Sequence, residues 1–271
     1  VEKKYLILVI LSSLTLITIG CASMKETVMK MYENIEVKNV EKITEKDIEH
    51  LPEVVQNYLR HTNIIGKEKI KAVRLKQGGD FRLKPDENFR TMTAEQYFNI
   101  DSMEFYWKGN VSIITAIDKF INGDGSMVVK LFGLFKVAEM NCPEVNQGEM
   151  IRFLAEGVWF PSMFVNDYIT WESLRHNAAK ATIKYADISA TVVFYFNEKY
   201  EVEKIAAKRY MEKDGTFLLK DWEIQILSYK KFNDVLIPNK SKVIWKLADG
   251  DFCWYKPEIF EIEYNKPFLY E

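Results

Sequence analysis

The stretch Met103-Glu-Phe-Tyr-Trp-Lys-Gly-Asn-Val-Ser-Ile113 decides the fold class. Met103, Phe105, Trp107, Val111 and Ile113 alternate with Glu104, Lys108, Asn110 and Ser112. Successive side chains of a strand point to opposite faces, so this pattern reads as an extended segment with one face buried.

The same period extends both ways along the chain. Upstream, Val73, Leu75, Gly79, Phe81 and Leu83 alternate with Arg74, Lys76, Asp80 and Arg82. Pro85-Asp86-Glu87-Asn88 supplies a turn, and Phe89 to Ile100 runs back. Downstream, Asn122-Gly123-Asp124-Gly125 joins strands expected at Ile117–Ile121 and Ser126–Phe132. Strands resume near Ile169 and continue at Ala181–Tyr185, Thr191–Phe196, Glu201–Met211, Thr216–Lys231, Ile237–Leu247 and Ile259–Tyr264. One helix, expected over 146–160, interrupts them. Asn146 is its candidate cap, Pro161 its stop, and Met150, Phe153, Leu154, Gly157 and Val158 share a face. The expected class is mainly β with helices (α+β). About ten to eleven strands are too many for a flat sheet and should curl into an incomplete antiparallel barrel with one inserted lid helix.

The N-terminal part is different. Lys3-Lys4, an apolar run from Tyr5 to Ile19, and Gly20-Cys21 have the form of a bacterial lipoprotein signal, with Cys21 as the lipidated thiol. Thr18 stands where such signals usually carry Leu. An uncleaved single-helix anchor is the alternative, although Ser12, Ser13 and Thr15 dilute the apolar run. Residues 1–21 are thus expected to be signal or anchor, and 22–39 a polar tether. A helical segment follows over 40–66, with a capping box at Thr44 to Asp47 and a helix from Pro52 to His61. No linker divides 67–271, which reads as one domain.

Composition narrows the function. Hydrophobic residues make up 48% of the 271 and aromatics 14%, enough for a sizeable core. Lys and Arg total 37 against 39 Asp and Glu, so there is no basic excess to hold nucleic acid. His50, His61 and His176 lie outside any Cys/His cluster, so no metal and no cofactor is expected. Cys142 and Cys253 read either as a disulfide or as two separate buried thiols. Signatures for phosphate loops, serine hydrolases and zinc peptidases are missing from the chain.

Two groups of residues compete for a role. Glu149, Arg152 and Glu156 fall near one another on the expected helix. They form either a solvated salt-bridge face or a polar cluster at the mouth of a cavity, with Arg152 meeting an anionic head group. Phe98, Phe105, Trp107, Phe153 and Trp159 are either plain core or the lining of a greasy cleft.

Four motifs carry a resemblance: Leu51-Pro-Glu-Val-Val-Gln-Asn-Tyr-Leu-Arg-His61, Thr93-Ala-Glu-Gln-Tyr-Phe98, Gly123-Asp-Gly-Ser-Met127 and Gln147-Gly-Glu-Met-Ile-Arg-Phe-Leu-Ala-Glu-Gly-Val-Trp-Phe-Pro161. From about Leu51 to Tyr264 the chain resembles a family of uncharacterised bacterial proteins grouped as a domain of unknown function. That likeness implies no catalytic residues. The strand–helix–strand order also resembles the LolA/LolB lipoprotein carriers, which implies acyl chains or lipid-like ligands held between half-barrel and lid.

The combined expectation is a membrane-tethered, extracytoplasmic protein that binds a lipid or other apolar molecule in the concave face of a half-barrel. A cell-envelope enzyme with Glu149, Glu156 or Glu95 as acid and base is a rival, more an alternative than the leading reading. An envelope sensor or assembly factor that binds a partner protein is a third.

Overall fold

The computed structural model describes residues 24–271. The expected signal and the expected lipidation of Cys21 lie outside the described residues. Among those residues no helix is long and apolar enough to cross a membrane.

Six strands run as a meander: β1 (Ala72–Phe81), β2 (Arg90–Asn99), β3 (Glu104–Val111), β4 (Ile114–Ile121), β5 (Asp124–Leu131) and β6 (Phe135–Met140). Seven more follow the central helix: β7 (Ile169–Arg175), β8 (Ala178–Tyr185), β9 (Ile188–Phe196), β10 (Val202–Lys213), β11 (Thr216–Phe232), β12 (Val235–Leu247) and β13 (Gly250–Tyr264). All thirteen join one antiparallel sheet in the order β6-β5-β4-β3-β2-β1-β13-β12-β11-β10-β9-β8-β7. The strand count exceeds the expected ten to eleven. The strand expected over Met103–Ile113 ends at Val111, because Ser112 adopts φ 54 and starts a tight turn that leaves Ile113 half exposed. β6 is the strand without a legible pattern, since five of its six residues are exposed.

The topology explains the curl. The chain builds one arm outward to β6, crosses, starts again at the far edge with β7, and returns until β13 zips onto β1. Bulges at Phe260 and Trp254 on β13, opposite Lys76–Gln77 of β1 and Val243–Ile244 of β12, and a register shift near Ser228 on β11 bend the centre of the sheet. The two arms then meet at their hairpin tips. Phe120 packs edge-on against Tyr185 with ring centroids 6.0 Å apart, and the Asn122-Gly123 turn nestles against the same Tyr185 ring.

The crossing segment lies inside the curl. The helix spans Pro143–Glu156 and continues as 3-10 turns at Gly157–Trp159 and Pro161–Val165. It starts three residues before the expected Asn146. Pro143, with its fixed φ, takes the first helical position, and Cys142 stands in the cap position. Asn146 Oδ1 instead accepts a hydrogen bond from the Gly125 backbone N–H, 2.9 Å away, and docks the helix start on the β4–β5 hairpin. The helix touches β4 and β5 on one arm and β8, β9 and β10 on the other. It therefore props the two arms apart as an interior strut, and nine of its fourteen residues are buried.

Two shorter helices, Glu45–Ile48 and Glu53–His61, plug the end of the core beside the 3-10 turns. Asp47 accepts the Thr44 backbone N–H at 2.7 Å, as the capping box requires. Tyr58 packs on Phe164 and Phe196 at 6.1 and 5.7 Å.

Residues 24–32, expected within a polar tether, are helical. Val28, Met31 and Tyr32 bury against Tyr97 and Tyr106 on the convex side of the sheet, a second small core that the C-terminal Leu269 and Tyr270 complete. Tyr32 Oη donates to the Val73 carbonyl at 2.7 Å. The apolar stripe at 24, 28, 31 and 32 was hidden among charged neighbours.

Candidate functional site

Between the concave face of the sheet and one side of the central helix lies a cavity of about 580 Å³. Its walls follow from strand alternation. Ile114 and Ala116 of β4, Ile205 of β10, and Trp222 and Ile224 of β11 all line it, while their immediate sequence neighbours do not. Met92, Met127 and Met140 add flexible apolar surface.

Gly109 and Gly148 shape this interior. A Cβ on Gly109 would come within 2.2 Å of the Trp107 ring, so the glycine lets that indole lie back along its own strand. A Cβ on Gly148 would stand 3.2 Å from Arg209 Nε, so this glycine gives the guanidinium its place against the helix.

A buried polar cluster interrupts the apolar wall beside the helix. Arg152 Nη1 donates to Asp118 Oδ2 and Arg152 Nε to Glu156 Oε1, both at 2.8 Å. Arg209 Nη2 reaches Glu149 Oε1 at 3.4 Å. Behind Glu156 runs a buried relay: Tyr255 Oη donates to Gln77 Oε1 at 2.9 Å, Gln77 Nε2 to Gln96 Oε1 at 2.8 Å, and Gln96 Nε2 to Glu156 Oε2 at 2.7 Å. The Arg152 guanidinium also sits 5.1 Å from the Phe105 ring and 5.0 Å from Trp107.

Burial governs the electrostatics. It raises the Glu149 carboxyl to about 7, with the neighbouring Asp118 charge pushing the same way. Asp118 and Glu156 are raised by burial as well, against the pull of Arg152. Burial lowers Arg209. It also opposes the charge on Arg152, but Glu156, Asp118 and Glu149 together hold that guanidinium above its ordinary value. Glu149 Oε2 and Asp118 Oδ1 are buried and have no hydrogen-bond partner among the described residues.

The expected site residues divide cleanly. Trp107, Trp159, Glu149, Arg152 and Glu156 line the cavity. Phe98, Phe105 and Phe153 stand behind it as close-packed core, with Phe98 4.7 Å from Phe160, 5.9 Å from Phe105 and 6.2 Å from Phe153. Glu149 and Glu156 are buried, which overturns the solvated salt-bridge face. Glu95 points away on the convex side, where it accepts the Tyr97 hydroxyl at 2.7 Å. Cys142 and Cys253 are free and only half buried, so neither the disulfide nor the pair of buried thiols is formed. Asp118 and Arg209 were missed. Each is a charged residue at an inward position of an alternating strand, which is the pattern that marks an intruder in an apolar wall.

Two solved structures are similar to this chain at low identity. A domain assigned to outer membrane lipoprotein sorting from Vibrio parahaemolyticus superposes with a TM-score of 0.44 at 8% identity, covering 79% of this chain and 92% of its own. A LolA superfamily protein from Nitrosomonas europaea superposes with a TM-score of 0.45 at 9% identity, covering 78% of this chain and 94% of its own. No curated protein matches the chain. A family model matches residues 41–257, and the chain belongs to that family, the Family of unknown function (DUF6544).

Proposed function

We propose that the protein binds a lipid or other apolar small molecule in the cavity between the curled sheet and its central helix. The observation that carries this reading is the cavity itself. Its volume of about 580 Å³ falls inside the range of about 300–1,000 Å³ typical of small-molecule sites, and aromatic rings, methionines and branched aliphatics form most of its wall. A cavity with such walls gains free energy when an apolar chain replaces the water it holds.

A site outside the cytoplasmic membrane fits this reading, with the lipoprotein-like Gly20-Cys21 as the tether. Helical structure is in place by residue 24, so a lipid on Cys21 would hold the folded body close to the bilayer. That tether would keep the cavity within reach of membrane lipid. Native mass spectrometry of the full-length protein from mild detergent tests the binding. Co-purified lipid, lost when Ala116→Trp fills the cavity, is the expected result; bare protein in every charge state would sink the proposal.

A second reading, acid–base catalysis, is favoured by one observation. Glu149 is a buried carboxyl held near neutrality in a cleft, the state that a general acid or base requires. Hydrolysis of a panel of short- and long-chain acyl and glycosyl substrates, abolished by Glu149→Gln, would establish it.

A further inference from the structure

The polar groups of the cavity discriminate between ligand charges. Arg152 is the group first expected to meet an anion, yet its guanidinium is already shared between Asp118 and Glu156. Arg209 is drawn to Glu149 and stacks 5.5 Å from the Trp222 ring. Within this inner cluster an anionic head group would have to compete with Asp118, Glu149 or Glu156 for a guanidinium, and the displaced carboxylate would be left unpaired in an apolar wall.

The balance of charge points the other way. In the inner cluster Asp118, Glu149 and Glu156 face only two guanidiniums. Around the whole cavity six carboxylates face four arginines, and neither lysine nor histidine is present in the lining. Two carboxylate oxygens, Glu149 Oε2 and Asp118 Oδ1, lack partners among the described residues. The Glu149 side chain is only 6% exposed, so bulk water does not satisfy it. Each of these oxygens is an acceptor that a ligand N–H can satisfy. The indoles of Trp107 and Trp222 stand in the same wall, each already faced by a guanidinium, Arg152 and Arg209 respectively, and their buried Nε1–H groups lack partners among the described residues.

Resting on the reading of the cavity as an apolar-ligand site, we infer that its preferred occupant is an amphiphile whose polar end is a protonated amine, held by Glu149 and Asp118. The apolar part lies along the methionine and isoleucine wall. The ammonium donates to the orphaned oxygens and supplies the positive charge that the cluster lacks. Glu149, faced by Asp118 from β4, Arg209 from β10, and Arg152 and Glu156 from its own helix, then ionises fully, so binding near neutral pH releases a proton.

Isothermal titration of the full-length protein at pH 7 with dodecylammonium and dodecyl sulfate below their micellar concentrations, and dodecanol below its solubility limit, tests this. Dodecylammonium is expected to bind about tenfold more tightly than dodecanol, the scale of a charge-assisted hydrogen bond, with dodecyl sulfate weakest. Heats in buffers of different ionisation enthalpy should report the released proton. Glu149→Gln and Asp118→Asn should each narrow the gap between dodecylammonium and dodecanol. Equal affinity for dodecanol and dodecylammonium, or a preference for dodecyl sulfate, overturns the inference while leaving the apolar site intact. Failure of all three to bind removes the apolar site and the inference together.

Discussion

Arg152 Nη1 lies 2.8 Å from Asp118 Oδ2, an ion pair that ties the central helix to β4 from inside the curl of the sheet. Both side chains are at most one-sixth exposed, and Glu156 holds the same guanidinium one helical turn on. Removing Arg152 therefore strands two carboxylates in an apolar setting. Arg152→Met is expected to cost about 3–5 kcal/mol in urea unfolding at pH 7, with Asp118→Asn milder because an amide still accepts from the guanidinium. A loss below about 1 kcal/mol would mean that the pair is hydrated and surface-like.

Glu149 gives the protein a pH-dependent weakness. Its carboxyl is raised from the ordinary 4.5 to about 7, so between these values the folded state binds more protons than the unfolded chain. Its contribution to stability is fully present below pH 4.5 and is lost as pH rises through 7. Asp118 and Glu156, also raised by burial, act in the same direction. Glu149→Gln keeps the neutral form at every pH, so the decline in stability between pH 5 and 8 should shrink by up to about 3 kcal/mol. Thermal or urea unfolding across that range measures it, and parallel wild-type and variant curves would contradict the assignment.

These groups show what was legible from residues alone and what was not. The β class, the interrupting helix and the inward set Phe105 and Trp107 follow from spacing, because period two needs no tertiary context. The burial of Glu149 and Glu156 does not. On an isolated helix they look like a solvated face; they become interior only because β4 and β10, drawn from separate meanders, close on the helix from either side. Asp118 and Arg209 come from those same strands, ninety-one positions apart in sequence. Phe98, Phe105 and Phe153 could not be told from cavity lining, since core and cleft use the same residue types. β6 and the helix at 24–32 were missed for opposite reasons. The strand carries no buried face, and the helix hides a narrow stripe within a charged segment.

Gly109 is a packing requirement. The Trp107 ring occupies the space where a methyl group would stand, and the indole is almost fully buried. Gly109→Ala should force the ring into the cavity at a cost of about 1–3 kcal/mol and shift tryptophan emission. An unchanged spectrum together with unchanged stability would show that the ring has free room elsewhere.

The helix at 24–32 is part of the folded body. Val28 is fully buried on the convex face, and Tyr32 hydrogen-bonds the Val73 carbonyl. Val28→Asp should destabilise by more than about 2 kcal/mol, because it places a charge without a partner against Tyr97 and Tyr106. Tyr32→Phe should cost about 1 kcal/mol. Chemical denaturation distinguishes the two, and a neutral effect of Val28→Asp would mean that the segment detaches in solution.

The central claim, an apolar ligand inside the sheet, is tested most directly by titrating the protein with the apolar fluorophore N-phenyl-1-naphthylamine. The account predicts saturable binding of one probe per chain with enhanced emission, abolished by Ala116→Trp while the variant's thermal unfolding stays cooperative. Saturable binding that persists in Ala116→Trp, or no binding to the wild-type protein, would contradict it.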